Sequence, residues 1–123
     1  AQFVRFPGMV NQVEEWLVSA SICMQPSRFE GFPNAVLEAM AMGVATISTD
    51  CRSGPSDMIT HGVDGLLVPV GDLPALTLEL DCLMTDDKRR AELGRAGMSV
   101  RQRYDPDAVI AQWNNVLFDQ PSH

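Results

Sequence analysis

The chain has 123 residues, nine basic against sixteen acidic, for a formal net charge of −7. That length makes one compact domain, and a hydrophobic share of 46% belongs to a globular rather than a disordered chain. The acidic balance argues against nucleic acid as the main partner, no run reaches the ~20 apolar residues of a membrane helix, and the first residues lack a signal-peptide pattern.

In chain order, Phe3-Val4-Arg5-Phe6 predicts a short strand ended by Pro7-Gly8. A helix follows, capped by Asn11, with Val13, Trp16, Leu17 and Ala20 at helical spacing. This face, Trp16 included, is expected in the core. Ser21-Ile22-Cys23-Met24-Gln25 reads as a buried parallel strand. A loop over residues 26–32 leads to a helix opened by Pro33 and Asn34, running to Met42 and stopped by Gly43. Val44-Ala45-Thr46-Ile47-Ser48-Thr49 is β-branched and predicts another strand. A polar turn over residues 50–55 precedes a short helix to Thr60. A two-glycine turn over residues 61–65 precedes a strand over residues 66–70.

The remainder reads as helices. One spans residues 73–84, with Leu76, Leu80, Leu83 and Met84 on one side and Leu73 one turn back. Asp86-Asp87 caps a second that runs to about Tyr104. Asp105-Pro106 starts a third, with Val109, Ile110, Trp113 and Leu117 on one face. Alternation of strands and helices predicts an α/β fold: a Rossmann-like parallel sheet with helices on both faces. Such sheets bind ligands at the carboxyl ends of their strands, at a switch in strand order. The loop over residues 26–32 leaves one such end.

Cys23, Cys51 and Cys82 are odd in number and widely spaced, which fits neither a disulfide framework nor a zinc motif. Cys23 and Cys82 sit in apolar runs and are expected in the core, in a reducing, cytoplasmic setting. His61 is read as a solvated turn residue, and with one other histidine in the chain no metal site is expected.

The segment from Glu30 to Glu38 carries the chemistry. Gly31 lets backbone approach a ligand with no Cβ in the way. Pro33 gives up an amide that a helix start leaves unpaired. The amides of Asn34, Ala35 and Val36 then point out of the helix N-terminus. With the helix dipole they form an anion site that needs no basic side chain. Glu38, one turn in, can accept two hydrogen bonds from a vicinal diol such as ribose. Glu30, in the loop, can reach sugar hydroxyls. Two glutamates eight residues apart also arise by chance on any solvated helix, so the surrounding residues decide.

Glu30 and Glu38 match the glutamate, seven residues, glutamate motif of retaining GT-B glycosyltransferases of the family-4-like group. Val4-Arg5-Phe6-Pro7-Gly8 resembles that family's strand and turn before the motif. Pro26-Ser27 is its Pro-Ser dipeptide, and Leu37-Glu38-Ala39-Met40-Ala41-Met42-Gly43 its motif helix. Gly62-Val63-Asp64-Gly65-Leu66-Leu67-Val68-Pro69 is similar to its following turn and strand. The resemblance covers nearly the whole chain.

It implies most of a C-terminal, nucleotide-sugar-binding domain, facing an acceptor domain across a cleft. In that reading Glu30 is catalytic, contacting the donor sugar near the reacting carbon, and Glu38 holds the ribose. Backbone at Gly31, Phe32, Asn34, Ala35 and Val36 touches sugar and diphosphate, and backbone at Arg5 meets the nucleobase. No cofactor and no metal are implied, because helix amides and basic side chains stabilise the leaving diphosphate. The upstream Arg and Lys that clamp the diphosphate in the family are missing from this chain, as is the acceptor domain. The 123 residues are therefore expected to be a fragment that does not transfer sugar alone.

The turn Asp50-Cys51-Arg52-Ser53-Gly54-Pro55 resembles that of enzymes building surface polysaccharides and lipid-linked oligosaccharides. UDP-hexose or UDP-N-acetylhexosamine is the expected donor, and a glycan or lipid-linked molecule the acceptor. The implied location is cytoplasmic, at the inner face of the membrane. Peripheral membrane association of the whole protein, and dimerisation of the fragment through its last helix, are further expectations. Arg28 and the Lys88-Arg89-Arg90 cluster are read as solvated, and Asp86-Asp87 as a helix cap. Two other readings compete. One is a nucleotide-sugar epimerase of the same fold, which the motif helix disfavours. The other is a non-catalytic α/β module; a receiver-like one would want a strand-end lysine, and Lys88 is the chain's sole lysine.

Overall fold

A computed structural model describes residues 4, 6, 8, 13–28, 34–51 and 54–104. The strand expected at residues 3–6 is described only at Val4 and Phe6, and the helix expected from Asp105 lies outside the described residues. The elements are α1 (Val13–Ser19), β1 (Ile22–Gln25), α2 (Asn34–Ala41), β2 (Ala45–Thr49), α3 (Pro55–Met58), β3 (Leu66–Val68), α4 (Leu73–Thr85), α5 (Asp87–Gly97) and α6 (Val100–Arg103).

The strands form a parallel sheet in the order β1-β2-β3. Ile22 lies opposite Ala45, Gln25 opposite Ser48, Ile47 opposite Leu66 and Thr49 opposite Val68. All five β2 residues are buried, as a central parallel strand with both faces covered requires. β3 stops at Val68 rather than Val70, because Pro69 has no amide to continue the ladder. The described strands run in sequence order, so no reversal of strand order falls among them.

Helices cover both faces. On one, Ala45, Ile47, Leu66 and Val68 pack with Leu83 of α4 and Leu93 of α5. On the other, Val36 and Met40 of α2 pack with Met58, Ile59 and Val100. A smaller cluster joins Leu17 of α1 to Ala39 and Val44. Burying each large aliphatic side chain contributes about 1.5–3 kcal/mol, so these clusters hold α2 on the sheet. Caps set the long helices. Asp72 Oδ1 accepts from Ala75 N at 3.0 Å, and Asp86 Oδ1 from Arg89 N at 3.0 Å.

Several expectations change. The helix expected from Asp86-Asp87 to Tyr104 is two helices, α5 and α6. Gly97 backs onto the Asp64 carbonyl, and residues 98–101 tighten into three-residue bonds, Met98 N to Arg95 O and Arg101 N to Met98 O. Trp16 is half exposed, because only the Leu17 side of α1 meets the sheet layer. Met84 and Leu73 are exposed, leaving Leu76, Leu80 and Leu83 as the buried stripe of α4. Of the cysteines Cys51 is the buried one, and Cys23 and Cys82 are half-buried. Burial still pushes the Cys23 thiol up from its ordinary pKa. His61 is exposed, and its Nδ1 accepts from Leu67 N at 2.9 Å.

Candidate functional site

α2 is fastened at its C-terminal end. At its C-terminus Gly43 adopts φ +77°, the left-handed conformation a helix stop favours. Gly43 N donates to Met40 O at 3.0 Å and Val44 N to Ala39 O at 3.0 Å. Arg101 Nε of α6 donates to Ala41 O at 2.6 Å, so a cation meets the negative end of the helix. Gly94 of α5 packs directly on the Gly43 carbonyl, closer than any side chain would allow. A helix start leaves its first-turn amides without intrahelical carbonyl partners. That turn carries no acidic side chain to compete for them.

The predicted site residues divide accordingly. Asn34 and Ala35 are exposed in the first turn. Val36 has its side chain in the core, so only its backbone can serve a ligand, as expected of it. Glu38 is half-buried on the same helix, about 6 Å along the axis from Asn34. α2 therefore brings the first-turn amides and one carboxylate together. Glu30, Gly31, Phe32 and Arg5 lie outside the described residues, and so does Arg52.

The carboxyl ends of the strands frame a neighbouring cleft of about 250 Å³. Pro26 and Arg28 beyond β1, Thr49 of β2 and Pro69 beyond β3 line it, with Asp72 and Leu76 of the α4 start opposite. Arg28 is exposed there. Among the described residues Glu38, Asn34 and Ala35 stand outside this wall. No three His, Cys, Asp or Glu side chains among the described residues are grouped to hold a metal. No helix among them is long and apolar enough to cross a membrane.

Sequence reasoning missed how the β1 exit is held. Thr49 Oγ1 donates to Ser27 O and sits 3.4 Å from Gln25 O, while Gln25 Nε2 donates to Ser27 Oγ at 2.8 Å. The one available signal was a hydroxyl residue ending an apolar strand, and that says nothing about its partner.

The family model described as glycosyl transferases group 1 matches residues 1–86. A lipopolysaccharide 1,6-galactosyltransferase of Salmonella typhimurium is 44% identical over 108 residues, covering 88% of this chain and 30% of that protein. The solved C-terminal domain of a glycosyl transferase group 1 family protein from Francisella tularensis superposes with TM-score 0.70 at 28% identity. It covers 81% of this chain and 51% of that one. An Anabaena protein solved with UDP and glucose superposes with TM-score 0.87 at 20% identity, over 92% of this chain and 31% of that one, a likeness of fold. The chain spans 11% to 35% of the length of eight curated relatives it matches.

Proposed function

The chain belongs to the glycosyl transferases group 1 family, and from that premise we propose that it is the donor-binding part of a longer, retaining glycosyltransferase. The enzyme moves a hexose or N-acetylhexosamine from a UDP-linked donor to a glycan or lipid-linked acceptor. The observation that carries this reading is α2: its C-terminus is closed by Gly43 and Arg101, and its first turn, which holds no acidic side chain, lies one turn from the Glu38 carboxylate. The first-turn amides of Asn34, Ala35 and Val36 receive the diphosphate. They stabilise its growing charge as the sugar departs, without a metal. Glu38 holds the ribose diol.

Glu30 acts beside the reacting carbon. Backbone at Gly31 and Phe32 lines the sugar, and backbone at Arg5 meets the base. The lipopolysaccharide relative suggests a hexose donor and a cell-surface glycan acceptor. Work on such acceptors fits a cytoplasmic enzyme at the inner face of the membrane, with the acceptor held by chain outside these 123 residues.

Calorimetric titration of the full-length enzyme with UDP, GDP and their sugars tests the assignment. UDP should bind and GDP should not. Glu38→Ala should weaken UDP about tenfold or more, the effect of losing hydrogen bonds to a charged acceptor. An affinity unchanged by that substitution would remove the ribose role. Sugar transfer by the isolated chain would show that the rest of the enzyme is not needed.

A further inference from the structure

We propose that Thr49 is a positioning residue for the donor site, setting where the chain leaves β1 on its way to α2; the ligand part of this proposal rests on the function proposed above. The β1–β2 register runs to Gln25 opposite Ser48. Thr49 is the next β2 residue, and its backbone is engaged on the other side, opposite Val68. Its hydroxyl does for β1 what the backbone ladder no longer does. It donates to Ser27 O, with Gln25 O its weaker partner at 3.4 Å. Gln25 Nε2 closes the small ring by donating to Ser27 Oγ at 2.8 Å.

Thr49 is buried, at 4% exposure. A hydroxyl removed there takes the donor from the half-buried Ser27 carbonyl, and water reaching it from the adjoining cleft does not tie it to β2, so the chain at Ser27 then takes up more than one position. From Ser27 the chain has six residues to reach Asn34, the first residue of α2, whose position the sheet and Gly43 already fix. A shift at Ser27 therefore changes where the chain to α2 starts. Thr49 touches no ligand in this scheme; it acts through that chain.

Thr46 supplies an internal control. It lies on the same strand, is equally buried, and its Oγ1 donates to Val44 O at 3.0 Å, near the amino end of β2. Full-length Thr49→Val, Thr49→Ser and Thr46→Val are compared by thermal melting, by UDP titration and by hydrogen exchange of the peptide covering residues 26–34. Thr49→Val should weaken UDP about fivefold, as for one lost hydrogen bond of ordinary strength, and speed exchange in that peptide. Thr49→Ser should restore both. Thr46→Val should lower the melting temperature comparably and leave both readouts at wild-type values.

The proposal is overturned if Thr49→Val leaves the exchange unchanged, or if Thr46→Val reproduces its loss of UDP affinity. A wild-type enzyme indifferent to UDP defeats the proposed function instead, and the exchange comparison then decides Thr49 by itself.

Discussion

Replacing Gly94 by alanine should be the more damaging methyl addition of the two glycines in α5, Gly94 and Gly97. An alanine Cβ at this position would lie 2.2 Å from the Gly43 carbonyl oxygen and 3.4 Å from Ala45 N. Ordinary contact needs about 3.4 Å, so α5 and the Gly43 turn must part by about 1.2 Å. Both obstacles are backbone, and no rotamer change relieves them. Alanine gains about 1 kcal/mol over glycine as a helix former. Overpacking a close contact costs about 1–3 kcal/mol and occasionally more, and a backbone-to-backbone clash belongs at the upper end. The net expectation is about 2 kcal/mol destabilising, or a melting point lower by about 4–8 °C in a protein of 150–250 residues and by less in a longer one.

The displaced atom belongs to the turn that ends α2, so UDP affinity should fall as well. Differential scanning calorimetry of the full-length enzyme, with UDP titration beside it, reads both effects. Gly97→Ala is the comparator: its Cβ would meet the Asp64 carbonyl at 3.1 Å, a gap that a shift of a few tenths of an ångström opens. A Gly94→Ala enzyme that melts no lower than the Gly97→Ala enzyme would refute the claim that the two backbones touch.

Asp64 anchors the turn before β3. Its Oδ1 accepts from Thr60 N at 2.7 Å and its Oδ2 lies 3.5 Å from Arg103 Nη2. Asp64→Ala should cost about 2 kcal/mol. Asp64→Asn keeps an acceptor for Thr60 and should cost about half as much, since the half-exposed Arg103 makes the ion pair weak. Equal shifts of the two variants in denaturant titration would show the ion pair, not the amide bond, to dominate. Asp86→Ala removes the cap on Arg89 N and should cost about 1 kcal/mol, with Asp86→Ser recovering most of it. No difference between the two in denaturant titration would deny the cap its role.

Much of the fold is legible in the sequence because its signals are local. The β-branched run at residues 45–49 becomes the buried central strand, and Pro33-Asn34 and Gly43 bound the motif helix within a residue. Asp72 and Asp86 cap the helices that follow them. The pairing of first-turn amides with Glu38 is likewise local, since one helix carries both. The split between α5 and α6 was not legible. It coincides with Gly97 meeting Asp64 from a distant turn, and no propensity along residues 87–104 encodes that neighbour. The exposure of Trp16 and Met84 was hidden for a similar reason: helical spacing defines a stripe, while the sheet beneath decides how wide the buried part is.

Local signals along the chain set the α/β order and the bounds of the motif helix, because each depends on residues within a turn or two. What holds that helix in place comes from contacts between distant segments. Gly94 against Gly43, Arg101 on the Ala41 carbonyl and Thr49 on the β1 exit join residues far apart in the chain. Each of those residues has ordinary local preferences, and its partner is set by which elements the burial of apolar faces brings together.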